Sequence, residues 1–219
     1  MSHARAEGSG IAGIVLAAGS GSRYGEPKAL VPFGGELLVQ RACRLLREGG
    51  CDLVLVVLGA QADRVRAAAA LPPAGAAATS VLSTVDNLDW ATGIGSSVRA
   101  GLAAVPAPAV AAVVALADEP LVGAEAVRRL VAACRAGLPA GIRAVAATYG
   151  GGQRNPVLLT REIFAAVGAA AQGDTGARAW LRSHPEAVLG VPCDDTGEAF
   201  DVDTPADLAV ALARAERGE

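Results

Sequence analysis

Four runs of the chain are almost continuously apolar: residues 11–18, 52–58, 111–116 and 143–148. Short runs without polar interruption predict strands covered on both faces, the pattern of a parallel sheet. Weaker runs at 79–83, 156–159 and 187–191 predict three more strands. Between them lie longer stretches rich in Ala, Leu and Arg, which predict helices over 37–48, 62–70, 96–104, 124–136, 161–170, 176–183 and 205–216. In the first of these, Leu38, Cys43, Leu45 and Leu46 fall on one broad apolar side. Asp63 stands near a helix start, and Thr204-Pro205 puts a capping residue before a proline at the first helical position. Asp207 then sits in the first turn, where a negative charge suits the helix dipole. This alternation of strand and helix predicts an α/β fold with a mostly parallel sheet, formed as a single domain over residues 11–219 after a disordered stretch at 1–10. Right-handed crossovers gather the carboxyl ends of the strands along one edge, so the chemistry is expected in the loops that leave those ends.

Composition narrows the partners. The chain has 219 residues, a formal net charge of −3 and no cluster of Lys or Arg, so nucleic acid is not an expected partner. Few aromatics and much Ala and Val point to small-residue helices packed on a Val-rich sheet. Cys43, Cys51, Cys134 and Cys193 are widely spaced and form no CxxC pair, which predicts free thiols in a cytoplasmic protein. The run at 11–18 is too short to span a membrane, and the residues before it do not read as a signal peptide.

The first strand runs directly into Gly19-Ser20-Gly21-Ser22-Arg23-Tyr24-Gly25-Glu26-Pro27-Lys28. Glycines let the backbone approach a ligand, and successive free N–H groups in such a loop cradle an anion. Arg23 can fork onto phosphate oxygens and Lys28 can stand beside them as a point charge. The loop is therefore expected to hold a polyphosphate. It is not a P-loop, because Gly25 is followed by Glu26-Pro27 where Lys and Ser/Thr are needed, and it is not a dinucleotide fingerprint, because Tyr24 occupies the last glycine position.

The string from Leu16-Ala17-Ala18 through Lys28-Ala29-Leu30 closely resembles the signature loop of the MobA-like nucleotidyltransferases, and the likeness extends from about Ile11 to Leu208. The resemblance implies a Rossmann-like three-layer sandwich of the nucleotide-diphospho-sugar transferase type. It also implies a nucleotide site built from Leu16, Ala17, Ala18, Gly19, Ser20, Gly21, Arg23 and Lys28. Tyr24 stands where many relatives carry Met, a change expected to alter packing near the loop. The segment from Asn87 to Val98 resembles the part that holds the nucleotide in the cytidylyltransferase branch, which adds Gly95, Ser96 and Ser97; either serine could also cap the following helix.

Asp118, in Ala117-Asp118-Glu119-Pro120, follows a central strand, where a carboxylate is well placed for Mg²⁺, a cation that prefers oxygen ligands. Ala117 replaces the family's usual glycine, and Glu119 reads as a neighbour of the metal rather than a ligand. In Phe200-Asp201-Val202-Asp203-Thr204-Pro205, the alternation puts Asp201 and Asp203 on one face. The resemblance implies that Asp203 joins Asp118 on the metal, with Asp201 beside them. The acids here, together with the Leu-Ala-Ala-Gly start, lean towards the cytidylyl branch. Arg154-Asn155 is expected to face an acceptor, and Asp174 is expected to cap a helix.

The implied reaction is Mg²⁺-assisted transfer of a nucleoside monophosphate, CMP from CTP, to a phosphorylated cofactor such as molybdopterin, with Arg23, Lys28 and Asp118 as catalytic groups. A molybdoenzyme or its maturation chaperone is the implied protein partner, and no membrane is involved. Two alternatives stay open: another phosphorylated acceptor such as a sugar phosphate, and a nicotinamide-dependent oxidoreductase on the same fold.

Overall fold

The computed structural model describes residues 10–75 and 81–217. Its strands are β1 (Gly10–Ala17), β2 (Pro32–Phe33), β3 (Glu36–Leu37), β4 (Leu53–Leu58), β5 (Leu82–Asp86), β6 (Ala109–Leu116), β7 (Ala144–Tyr149), β8 (Gly152–Thr160) and β9 (Val188–Pro192). Its helices are α1 (Leu38–Glu48), α2 (Ala62–Ala68), α3 (Ile94–Ala104), α4 (Ala124–Arg135), α5 (Phe164–Ala170), α6 (Arg178–Ser183) and α7 (Pro205–Arg217).

Seven strands form one sheet in the order β5-β4-β1-β6-β8-β7-β9, and β8 alone runs against its neighbours. The sheet is therefore mostly parallel, as the apolar runs require. Alternate residues of β1 serve two separate apolar layers. Ile11 and Val15 pack with Val39 and Leu46 of α1 and Leu130 of α4. Ala12, Ile14 and Leu16 face the other way, onto Val98 and Leu102 of α3 and Val167 of α5. A strand buried on both faces by helices is the three-layer sandwich. Gly13 lets α1 lie close, since a Cβ there would come within 2.8 Å of Leu46 Cδ1.

The weaker strands differ from expectation in extent. The one expected at 79–83 is described only from Leu82 and continues to Asp86, because edge strand β5 carries polar residues at Ser83 and Thr84. The one expected at 156–159 begins at Gly152: its polar start pairs with β7 in a hairpin whose register shifts between Ala146 and Ala147. The small hairpin of β2 and β3, turning at Gly34 and Gly35, was not expected; strands of two residues carry too little periodicity to read. Of the stretch expected to be disordered, Gly10 opens β1 and residues 1–9 lie outside the described residues.

The start of α7 forms as expected. Asp207 Oδ2 accepts from the Thr204 N–H and hydroxyl, both at 2.8 Å, and from the Asp203 N–H at 3.2 Å. Thr204 Oγ1 accepts from the Asp207 N–H at 3.3 Å. The Thr204 hydroxyl, aided by the backbone donors, holds the Asp207 carboxyl below its ordinary value, so the cap is fully charged at neutral pH and weakens as pH falls through that lowered value. Thr204→Ala is expected to cost about 1 kcal/mol, seen as a lower denaturation midpoint at unchanged slope. An unchanged midpoint would show that this cap does not hold α7.

All four cysteines are free, and Cys43, Cys51 and Cys193 are buried. Among the described residues no helix is long and apolar enough to cross a membrane.

Candidate active site

β1 and β6 are adjacent and parallel, so Ala17 and Leu116 end side by side. The loops that follow them open a cleft of about 470 Å³ at the carboxyl edge of the sheet. One wall is the glycine-rich turn. Gly21 has φ +63°, and its carbonyl accepts from the Tyr24 and Gly25 N–H groups, both at 2.8 Å. A Cβ at Gly21 would stand 1.8 Å from the Glu26 carbonyl oxygen, so the tight turn requires glycine here. Glu26 is tied at 2.9 Å to Arg64 of α2, and Tyr24 packs against the Val31–Phe33 cluster, which anchors the far side of the loop.

The turn delivers Lys28 to the acids. Its Nζ lies 2.5 Å from Asp118 Oδ2 and 2.6 Å from Asp203 Oδ1. Arg23 Nη1 lies 3.0 Å from Asp203 Oδ2, with most of the arginine side chain in solvent. Partial burial opposes the charge on Lys28, but the two carboxylates outweigh it and hold the ammonium above its ordinary value. Both cations and both acids named from the sequence thus form one ion-pair cluster, of which Lys28 and Asp118 line the cleft.

Backbone contacts fix the two acids against each other. The Val202 N–H donates to the Asp118 carbonyl at 2.9 Å, and the Val202 side chain is fully buried among Val31, Phe33, Leu38 and Leu121. That single bond sets Asp201 and Asp203 beside Asp118. After Asp118, Arg41 of α1 donates to the Pro120 carbonyl at 2.6 Å and lies 5.0 Å over the Phe33 ring, holding the loop's exit.

The acids repel one another. Loss of solvation, then the charges of Asp118 and Asp203, raise Asp201 above its ordinary value. Glu119 is buried, and desolvation followed by the charges of Asp201 and Asp118 pushes it up to about 8. At neutral pH it is largely protonated and hydrogen-bonded with Asn155.

The second wall is the β5–α3 segment. Buried Asn87 donates through Nδ2 to Ser96 Oγ at 2.8 Å and Ser97 Oγ at 3.0 Å, and its Oδ1 accepts from the Asp89 N–H at 3.0 Å. All its polar atoms are used, so the amide braces the loop. Ser96 spends its own proton on the Gly93 carbonyl at 2.8 Å.

Of the expected nucleotide contacts, Leu16, Ala17, Ala18, Gly19, Ser20, Lys28 and Ser97 line the cleft. Gly21 shapes the loop from behind and Arg23 reaches Asp203 from the solvent side. Gly95 and Ser96 face inward instead: the Gly95 N–H donates to the Gly173 carbonyl at 2.8 Å, and a Cβ there would meet the Ala171 carbonyl at 2.5 Å. Neither serine caps α3, whose flanking residue is Gly93. Asp174 does not cap a helix either; α6 begins at Arg178, and Asp174 lies on the cleft wall. Trp90 and Ile94 also line the cleft, and no sequence signal marked them, since an aromatic or branched residue in a loop reads as ordinary packing.

Two carboxylates 2.5 and 2.6 Å from one ammonium already surround a cation, and their hard oxygen donors suit Mg²⁺, which commonly takes one or two carboxylates and completes its shell with phosphate and water. No group of three or more His, Cys, Asp or Glu residues in metal-binding geometry exists among the described residues, so a cage made wholly of protein ligands is not offered. The donor set fits a metal that arrives with a polyphosphate.

The model of the MobA-like NTP transferase domain matches residues 13–188. Nicotine blue oxidoreductase of Paenarthrobacter nicotinovorans is 37% identical over 89% of this chain and 92% of its own length. Molybdenum cofactor guanylyltransferase of Rhodobacter capsulatus is 30% identical over 92% of this chain and 94% of its own length. The crystal structure of Rv0371c from Mycobacterium tuberculosis aligns with a TM-score of 0.76 at 28% identity, covering 94% of this chain and 99% of that one. A manganese complex of Rv0371c aligns at 0.71 and 27%, covering 94% and 98%.

Proposed function

The chain belongs to the MobA-like NTP transferase family, and from that premise we propose that it transfers CMP from CTP to a phosphorylated heterocyclic cofactor of the molybdopterin kind, with Mg²⁺. The observation that carries this reading is the convergence of Asp118 and Asp203 on Lys28 beside the glycine-rich turn, with Lys28 and Asp118 lining the cleft.

An oxygen of the acceptor phosphate attacks the α-phosphorus of CTP. A new P–O bond forms, the bond to the bridging oxygen of the β-phosphate breaks, and pyrophosphate leaves with the electron pair. The acceptor monoester has its second pKa near ~6, so its oxygen is already ionised at neutral pH and no general base is needed. That agrees with a cleft without His or Cys. The residues position the groups and neutralise charge. Lys28 and Arg23 would hold the β- and γ-phosphates, with the turn's N–H groups around them. Asp118 and Asp203 would hold the metal, which supplies charge neutralisation across the phosphate oxygens when bound.

Three features support CTP. Two are the Leu16-Ala17-Ala18-Gly19 start and the acidic Asp201-Val202-Asp203 motif. The third is Ser97: its oxygen accepts from Asn87, while its own proton has no acceptor among the described residues and is free for the cleft. Such a donor can meet the O2 or N3 acceptor of cytosine. Ser97→Ala is expected to raise the KM for CTP about 3- to 10-fold with kcat little changed, in steady-state assays. An unchanged KM would remove Ser97 from base recognition.

A screen of the four NTPs for pyrophosphate release, with Mg²⁺ and a set of phosphorylated cofactors, tests the whole reading. Release that needs CTP and molybdopterin together is expected. Release with GTP alone would move the chain to guanylyl transfer, and none with any pair would overturn the reading.

A second reading, nicotinamide-dependent reduction, takes support from the relative named nicotine blue oxidoreductase. Against it stand Tyr24 in the place of a dinucleotide-loop glycine and a charge cluster with no use in hydride transfer. It is the less favoured of the two.

A further inference from the structure

Two carboxylates line the cleft, Asp118 and Asp174. Asp118 is taken by Lys28 at 2.5 Å, whereas Asp174 makes no hydrogen bond or ion pair among the described residues. Glycines bring Asp174 to its place. The chain from Ala171 to Gly173 lies directly on the start of α3: the Gly95 N–H donates to the Gly173 carbonyl at 2.8 Å, and a Cβ on Gly95 would stand 2.5 Å from the Ala171 carbonyl oxygen. Gly93, at φ +109°, leaves the room that the aspartate fills, since a Cβ there would stand 2.7 Å from Asp174 Oδ1. The carboxylate therefore sits beside the first turn of α3, yet it does not serve the helix. The Gly95 N–H is spent on Gly173, the Ser96 N–H goes to the Gly93 carbonyl at 3.2 Å, and α3 has no side-chain cap.

The wall around Asp174 suits a base. The phosphates of the proposed reading lie along the glycine-rich turn, while the second wall presents Trp90, Ala91, Gly93, Ile94 and Ser97. An aromatic and a branched side chain there offer surface to a flat ring and nothing to a phosphate. Trp90 is seated against Gly59, where a Cβ would stand 2.5 Å from Trp90 Cβ. The side-chain polar groups of this end are the Ser97 hydroxyl, a donor, and the Asp174 carboxylate, an acceptor. Gly93, which Asp174 adjoins, and Ser97 are four residues apart, about 5.4 Å along one helical turn. That separation is comparable to the width of a pyrimidine between its 2- and 4-substituents.

We infer that Asp174 accepts a hydrogen bond from the exocyclic amino group of the base, and that this carboxylate makes the cleft select CTP over UTP. The inference deepens the transfer reading and rests on it. The two pyrimidines differ on one edge: cytosine carries a 4-amino donor and an N3 acceptor, uracil a 4-oxo acceptor and an N3–H. A carboxylate only accepts, so the amino group of cytosine pairs with it, as it does with acidic side chains that read base edges. The 4-oxo group of uracil brought to the same place is repelled, and both oxygens lose water without return. Ser97 alone does not make this distinction, because the O2 it can meet is common to both bases.

The test is calorimetric titration of the full chain with CTP, UTP and GTP, each with Mg²⁺ and no acceptor, on the parent, Asp174→Asn and Asp174→Ala. Asp174 is exposed, so both variants are expected to unfold at the parent's thermal midpoint. The parent is expected to bind CTP roughly tenfold tighter than UTP, or more. Both substitutions are expected to bring the two nucleotides within about threefold of each other. Asp174→Asn does so by raising the affinity for UTP as well as lowering that for CTP, since an amide presents either its oxygen or its amino group. Removing a negative charge favours every triphosphate alike, so the ratio of CTP to UTP is the readout and not either affinity by itself. Equal binding of CTP and UTP by the parent, or a ratio that survives both substitutions, would overturn the inference. GTP bound more tightly than CTP, with the Asp174-dependent ratio intact, would overturn the cytidylyl reading alone, and no binding of any of the three would overturn both.

Discussion

Asp118→Asn is expected to cut nucleotidyl transfer by roughly 100-fold or more with the fold intact. The substitution keeps the shape of the side chain and leaves the Asp118 carbonyl free to accept from the Val202 N–H, so the loop carrying Asp203 stays in place. What is lost is one of the two charges on the cation seat. Charge spreads over the transferring phosphoryl oxygens in the transition state, so kcat is expected to fall together with the affinity for CTP and Mg²⁺. Stability is expected to change little. Lys28 loses one of its two carboxylates, while Asp201 and Glu119 lose a neighbour whose charge raises both above their ordinary values. Turnover within a few fold of the parent would take Asp118 out of the mechanism. A large drop in the thermal midpoint would mean that the side chain is structural.

Lys28→Met is expected to have a comparable effect on turnover and an opposite effect on metal binding. In the structure the ammonium sits where a cation would sit, 2.5 Å from Asp118 and 2.6 Å from Asp203. A divalent ion approaching the protein without nucleotide must therefore displace it. With the ammonium gone, the two carboxylates face each other uncompensated, and Mn²⁺ is expected to bind the free variant roughly tenfold tighter than the parent, read by electron paramagnetic resonance. Transfer still falls by roughly 100-fold or more, because no point charge remains for the departing pyrophosphate. A merely damaged variant would lose metal affinity along with activity, so tighter Mn²⁺ binding with lost turnover separates the two explanations. Weaker Mn²⁺ binding in Lys28→Met would contradict this placement of the lysine.

Much of the fold is legible in the sequence because burial on both faces leaves an unbroken apolar run, as in β1, β4 and β6, and because helix starts such as Thr204-Pro205 carry their own caps. The edges are harder to read. β5 mixes Ser83 and Thr84 with its apolar residues, and the first half of β8 is polar, so neither extent could be read from hydrophobicity alone. The site divides in the same way. Glycines, cations and acids could be named one by one. The meeting of Lys28 with Asp118, 90 residues on, and with Asp203, 175 residues on, is a property of strand order and of the Val202–Asp118 hydrogen bond, and was reachable only through the family resemblance. Small residues mislead where they have two uses. Gly95 and Ser96 look like ligand contacts, but one packs on the Gly173 loop and the other is consumed by Asn87 and Gly93. Trp90 and Asp174 reach the cleft through backbone turns that leave no periodic trace.

The central claim is that the glycine-rich turn, Lys28 and the two acids together grip the triphosphate of a nucleotide with its metal. Thermal unfolding of the parent protein with CTP and Mg²⁺, with CTP and EDTA, and with NADPH tests it most directly. The account predicts a rise of several degrees with CTP and Mg²⁺, most of it lost in EDTA, and no rise with NADPH. Stabilisation by NADPH with none by CTP and Mg²⁺ would contradict it.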